Sequence, residues 1–125
     1  MTKARSQKGR HGEDLAAQYL ARHGYRIIQQ NYLASCGEVD IIAQEKDTLV
    51  FVEVKTRSGL RFGSPAAAVT HRKQQQISRT ALVYLSQQRL LNKPARFDVV
   101  AVVLGKDAEP HIELFKNAFE LTYEG

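Results

Sequence analysis

The strongest constraint in this sequence is a pair of apolar runs, EVDIIAQ at 38–44 and LVFVEVKT at 49–56, separated by the polar stretch Glu45-Lys46-Asp47-Thr48. Two strand-like segments joined by so short a connection read as an antiparallel hairpin. A two-residue turn closed by Glu45 and Thr48, or a four-residue turn closed by Gln44 and Leu49, sets one and the same register, with Asp40 opposite Glu53. A loop of three or five residues would shift that register and separate the two. With even closure, alternation sends Val39, Ile41, Ala43, Val50, Val52 and Val54 to a wholly apolar face. Asp40, Ile42, Gln44, Leu49, Phe51, Glu53 and Lys55 fall on the other, and its charges, with Glu38, gather at the end away from the turn.

Two carboxylates directly opposite on one face of a hairpin repel, so stability alone would not select them. A hard divalent cation resolves the conflict, because Mg²⁺ is typically held by one or two carboxylates together with water and phosphate oxygens. Lys55, two residues beyond Glu53, points into the same space and could hold a phosphate oxygen or an attacking water. The same register also sets Glu38 opposite Lys55. The four charges are therefore also readable as a cross-strand salt-bridge lattice on a solvated sheet end, of little consequence for stability.

Around the hairpin, Leu15, Ala16, Tyr19 and Leu20 recur at helical spacing before Gly24, predicting a first helix over about residues 10–23. Residues 1–9, with Lys3, Arg5 and Lys8, read as a mobile basic arm, and residues 10–125 as one domain. Tyr25–Tyr32 predicts a strand. A Gly- and Pro-containing loop at 58–65 leads to a helix over about 65–91, whose buried stripe is Ile77, Ala81, Leu82, Tyr84 and Leu85. FDVVAVVL at 97–104 has the unbroken apolar character of a strand buried on both faces, and HIELF at 111–115 predicts a short last strand. The order α-β-β-β-α-β-β describes an α/β (α+β) domain with helices on a mixed sheet.

The net charge of +5 is unevenly spread: no Asp or Glu occurs from Val54 to Phe97, where nine Lys and Arg stand. That footprint suits a polyanion, although a solvated basic surface without a partner has the same pattern. Arg57 and Arg61, following directly from the strand of Glu53 and Lys55, are the better phosphate candidates, with Arg72 and Lys73 at the start of the second helix behind them. Asp98, in an apolar strand, reads mainly as a buried partner for Arg96 or a backbone donor. The lone Cys36 and the scattered histidines have no zinc spacing, and the Gly59–Gly63 loop lacks the pattern of a P-loop. With no apolar run of membrane-spanning length and no secretory h-region, the expectation is a soluble cytoplasmic protein without membrane contact.

GEVDIIA at 37–43, FVEVK at 51–55, FGSP at 62–65 and RFDVV at 96–100 together resemble the YraN family of bacterial proteins, from about Gly9 to Phe119. That family in turn resembles the PD-(D/E)xK nuclease superfamily, particularly Holliday junction resolvases of the archaeal type and restriction endonucleases. The resemblance implies a restriction-endonuclease-like mixed sheet flanked by helices. It puts Asp40 in the place of the motif's Asp, Glu53 in that of its Asp/Glu and Lys55 in that of its Lys, while Val39 stands where the literal motif has Pro. Glu13 matches the acidic residue that resolvase-like members contribute from their N-terminal helix; an exposed Glu favoured by the helix dipole is the plainer reading.

The activity so implied is hydrolysis of DNA phosphodiesters, at branched or otherwise structured DNA, with a homodimer as a working form. Mg²⁺ or Mn²⁺ would be held by Asp40, Glu53 and the carbonyl of Val54, with Lys55 orienting water. Two other functions stay open: a non-catalytic nucleic-acid-binding module that retains the fold, and a basic protein-interaction domain.

Overall fold

The structure, a computed structural model, describes residues 7–58, 69–105 and 109–122. Its elements are α1 (Gln7–Arg22), β1 (Arg26–Ala34), β2 (Gly37–Glu45), β3 (Thr48–Ser58), α2 (His71–Gln87), β4 (Ala95–Leu104) and β5 (His111–Phe119). They form a five-stranded mixed sheet flanked by two helices, in the expected order. Helix α1 starts at Gln7, three residues inside the stretch expected as an arm; residues 1–6 lie outside the described residues.

The strands lie in sequence order, β1-β2-β3-β4-β5, antiparallel except for the central β3–β4 pair. A parallel pair needs a long crossover. The segment carrying α2 supplies it. Strands β3 and β4 stay in register from Leu49↔Ala95 to Ser58↔Leu104. Phe97 to Val102 of β4 are buried without a break, which accounts for the unbroken apolar run in the sequence.

One face of the sheet packs on α1, with Ala16, Ala17 and Leu20 against Ile41, Ala43, Val50, Val52, Val54, Val100 and Val102. The other packs on α2, where Ile77, Ala81, Tyr84 and Leu85 meet Ile42, Leu49, Phe51, Phe97 and Val99. Aromatic edges order this second layer: Tyr84 meets Tyr32 and Phe51 edge-on at centroid distances of 5.2 and 5.9 Å. Burial on both faces is what ties the hairpin to both apolar layers.

Helix α2 is shorter than its composition predicts. It begins at His71, because Thr70 adopts an extended conformation and its hydroxyl accepts the Lys73 N–H at 3.1 Å as an N-cap. It ends at Gln87, before the expected Leu91, because Arg89 takes a left-handed conformation (φ 60°) and Leu90 N–H returns to Leu85 O at 2.7 Å. Residues 59–68, including the Phe62–Pro65 segment and the expected start of this helix, lie outside the described residues.

The hairpin closes on Glu45↔Thr48, a two-residue turn in which Lys46 has φ 54°. Pairing with β3 then runs back only to Ile41↔Val52. One expectation is overturned here: Val39 does not share a face with Ile41 but belongs to the α2-side cluster with Ile42. Beyond Ile41 strand β2 no longer pairs with β3, while it remains paired with β1 through Tyr32↔Val39 and Leu33↔Glu38. Strict alternation across the hairpin therefore ends where the two strands part.

Candidate active site

The parting of β2 and β3 is where the charged residues collect. In an antiparallel ladder closed at Glu45↔Thr48 the exchanging pairs are every second one, so Val54 N–H would next return to Val39 O. It donates instead to Asp40 Oδ2 at 2.8 Å. The Asp40 carboxylate thus takes the place of a backbone acceptor and lies in the gap between the strands. Neither oxygen needs to point into the apolar layers.

Glu53 is only 7% exposed. Its carboxyl is pushed up to about 8, first by burial, then by the charge of Asp40 and a hydrogen bond with that residue, while Lys73 and Lys55 act in the opposite direction. Asp40 and Glu53 are therefore in direct contact. A salt-bridge lattice on a solvated sheet end does not describe Glu53, because its carboxyl is buried away from solvent. Lys55 and Lys73, both half-buried, come to the pair from the end of β3 and the first turn of α2.

The donor set fits a hard divalent cation. Two carboxyls forced together under burial are held apart in energy only by a proton or by a cation, and oxygen ligands of this kind are what Mg²⁺ or Mn²⁺ takes. Among the described residues no group of three or more His, Cys, Asp or Glu converges as a metal cage, so any further ligands would be backbone oxygen, water or substrate.

Glu13 is buried at 4% exposure, which removes the reading of it as a solvated helix-start residue. It sits beside Gly12, and a Cβ on Gly12 would overlap the Thr56 hydroxyl, so the first turns of α1 lie directly on β3 one residue past Lys55. Among the described residues, Glu13 does not join the acidic pair in a three-carboxylate group. Arg57 and Arg72 are exposed at the ends of β3 and α2, and Arg61 lies outside the described residues.

Asp98 has the structural part expected for it. Arg96 Nε and Nη2 donate to its two oxygens at 2.8 and 3.0 Å, Tyr25 hydroxyl donates at 2.8 Å and Asn117 N–H at 2.9 Å. Glu45, which the sequence offers only as a turn residue, completes the network by accepting from Arg96 and Lys116 at 2.9 and 2.8 Å. Sequence reasoning also passed over the β1–β2 turn. Ser35, Cys36 and Glu38 line a cleft with Lys73 and Gln76, and the signal available was Gly37, where a Cβ would press into Gln76 and Thr80.

Fold and site together define a small three-layered α/β domain in which a buried Glu53 meets a half-buried Asp40, flanked by two lysines, where its sheet opens. Residues 12–102 match the uncharacterised protein family UPF0102, and the chain belongs to that family. The UPF0102 protein of Geotalea uraniireducens is 51% identical over 115 residues, covering 92% of this chain and 91% of its own. The UPF0102 protein of Syntrophus aciditrophicus is 53% identical, covering 92% and 90%. Among solved structures, SfsA of Pyrococcus furiosus in complex with Ca²⁺ aligns with a TM-score of 0.41 and 11% identity, over 87% of this chain and 62% of that one. Among the described residues no helix is long and apolar enough to cross a membrane.

Proposed function

We propose that this protein is a divalent-cation-dependent phosphodiesterase acting on DNA, with Asp40, Glu53 and Lys55 as its catalytic residues. The observation that carries the reading is the contact between the buried Glu53 carboxyl and the half-buried Asp40 beside two lysines. A pure phosphate binder gains nothing from carboxylates that repel DNA. A hydrolase that must assemble charge around a phosphate needs both signs in one place.

Asp40 and Glu53, with the Val54 carbonyl, would hold Mg²⁺ or Mn²⁺, which supplies polarisation of the phosphate and a lowered pKa for water. The hydrogen bond from Val54 N–H holds the Asp40 carboxylate in one orientation between the strands. Lys55 orients the attacking water and offsets the negative charge that grows on the phosphoryl oxygens as the bond to the leaving oxygen lengthens. Lys73 pairs with a neighbouring phosphate oxygen, and Arg57 and Arg72 contact the DNA backbone. Action on branched DNA by a homodimer is the finer form of the proposal.

The test is incubation of the purified protein with end-labelled duplex, single-stranded and four-way-junction DNA, in Mg²⁺, Mn²⁺ or chelator, beside Lys55→Ala. Cation-dependent cleavage lost in Lys55→Ala is expected. Cleavage that survives in the variant or in chelator would refute the assignment, as would none on any substrate.

A further inference from the structure

The β1–β2 turn does more than connect two strands. It leans on the first turns of α2, and between them a cleft of about 270 Å³ opens, lined by Leu33, Ser35, Cys36, Glu38, Lys73 and Gln76. Lys73 belongs both to this cleft and to the surroundings of Glu53, and Glu38 lies two residues before Asp40 on β2. The cleft and the acidic pair therefore share Lys73 as a neighbour. Apart from Lys73, nothing in the phosphodiesterase reading uses the cleft.

We propose that this cleft receives an unpaired nucleobase adjoining the phosphate handled by Asp40 and Glu53, so that the substrate carries a single-stranded nucleotide at the cut. This rests on the phosphodiesterase reading for the location of that phosphate. The volume lies just below the roughly 300–1,000 Å³ common for ligand sites, which suits one planar heterocycle and no longer ligand. Its walls offer the polar groups that read a base edge: the Ser35 hydroxyl and Gln76 amide both donate and accept, and the Glu38 carboxylate accepts from an exocyclic amine. Leu33, 47% exposed, supplies apolar surface at the rim, where a base face would rest. Lys73, on the side of the acidic pair, is placed for the phosphate linking that base to the next nucleotide.

A base inside a duplex is stacked and hydrogen-bonded and cannot enter without being extruded, whereas an unpaired one enters without that cost. The approach of the turn to α2 is set by the backbone. A Cβ at Gly37 would approach Gln76 Cγ to 2.6 Å and the Thr80 hydroxyl to 2.9 Å, so only glycine lets the turn sit this close to α2.

The test measures binding without cleavage. A single-stranded oligonucleotide containing 2-aminopurine and a blunt duplex are titrated with the full chain in chelator, following base fluorescence and anisotropy. Ser35→Trp, at an exposed turn position, fills the cleft, and Gln76→Ala removes one wall; circular dichroism and melting establish that each variant is folded. The expected result is a fluorescence change on single-strand binding. In both variants that change is lost, and the ratio of single-strand to duplex affinity falls about ten-fold, the worth of one or two hydrogen bonds. An unchanged ratio in two folded variants overturns the proposal, even if Mg²⁺-dependent cleavage is found. Conversely, variant-sensitive single-strand binding with no cleavage under any condition would retain the base site and remove the phosphodiesterase.

Discussion

Asp40→Asn tests the electrostatics of the site without substrate. The free Glu53 carboxyl titrates near its ordinary 4.5 when unfolded and is pushed up to about 8 when folded. Its proton is therefore bound more tightly by the folded protein, and the associated stability is full at low pH and is lost as pH rises from the lower value to the higher. At about pH 7.5 the folded carboxyl must stay largely protonated against solution, and three pH units at about 1.4 kcal/mol each put that cost near 4 kcal/mol.

Burial accounts for the larger share and Asp40 for the next, so removing the Asp40 charge should recover about 1–2 kcal/mol at that pH. Asparagine keeps an acceptor for Val54 N–H, at the loss of charge assistance worth about 0.5–1 kcal/mol. The net gain is then about 1 kcal/mol, a rise of about 3–5 °C in the melting temperature of a domain this size. The assay is thermal melting in chelator at about pH 7.5 and pH 4.5. The gain should fade at the lower pH, and added Mg²⁺ should stabilise the wild type more than the variant. An equal gain at both pH values, or a loss at pH 7.5, would refute the like-charge account.

Gly12→Ala should destabilise by about 1–3 kcal/mol or more, since its methyl overlaps the Thr56 hydroxyl and α1 must lift from β3; urea unfolding measures this. Tyr25→Phe leaves Asp98 and Arg96 each short of one hydrogen bond and should cost about 1–3 kcal/mol in the same assay, with no change in DNA affinity. Glu45, held below its ordinary value first by its hydrogen bond to Lys116 and also by Arg96, contributes stability above the unfolded carboxylate range that is lost as pH falls through the folded value. Glu45→Gln should therefore be less stable than the wild type at neutral pH, with the difference shrinking on acidification; melting curves across the acid range would show it.

Much of the architecture is legible in the chain. The even turn at Glu45–Thr48 and the two apolar runs specify the hairpin register, because a period of two leaves one alignment that buries Ile41, Ala43, Val50 and Val52 together. The unbroken run of β4 identifies a strand covered on both faces, and the helical spacing of Ile77, Ala81, Tyr84 and Leu85 identifies the face that α2 buries. These are local periodicities, and local sequence encodes them.

Where the periodicity stops was decided by contacts between distant segments. Val39 changes layers because β2 leaves β3 while still paired to β1, and Asp40 turns into the gap because Val54 N–H needs an acceptor there. The proton affinity of Glu53 depends on its burial and on the charge of Asp40 from the neighbouring strand, opposed by Lys73 from twenty residues further along the chain. Residue types and spacing could nominate Asp40, Glu53 and Lys55. Only packing could exclude water from Glu53, and that exclusion is what turns a row of charges on a strand end into an acidic pair that holds a proton.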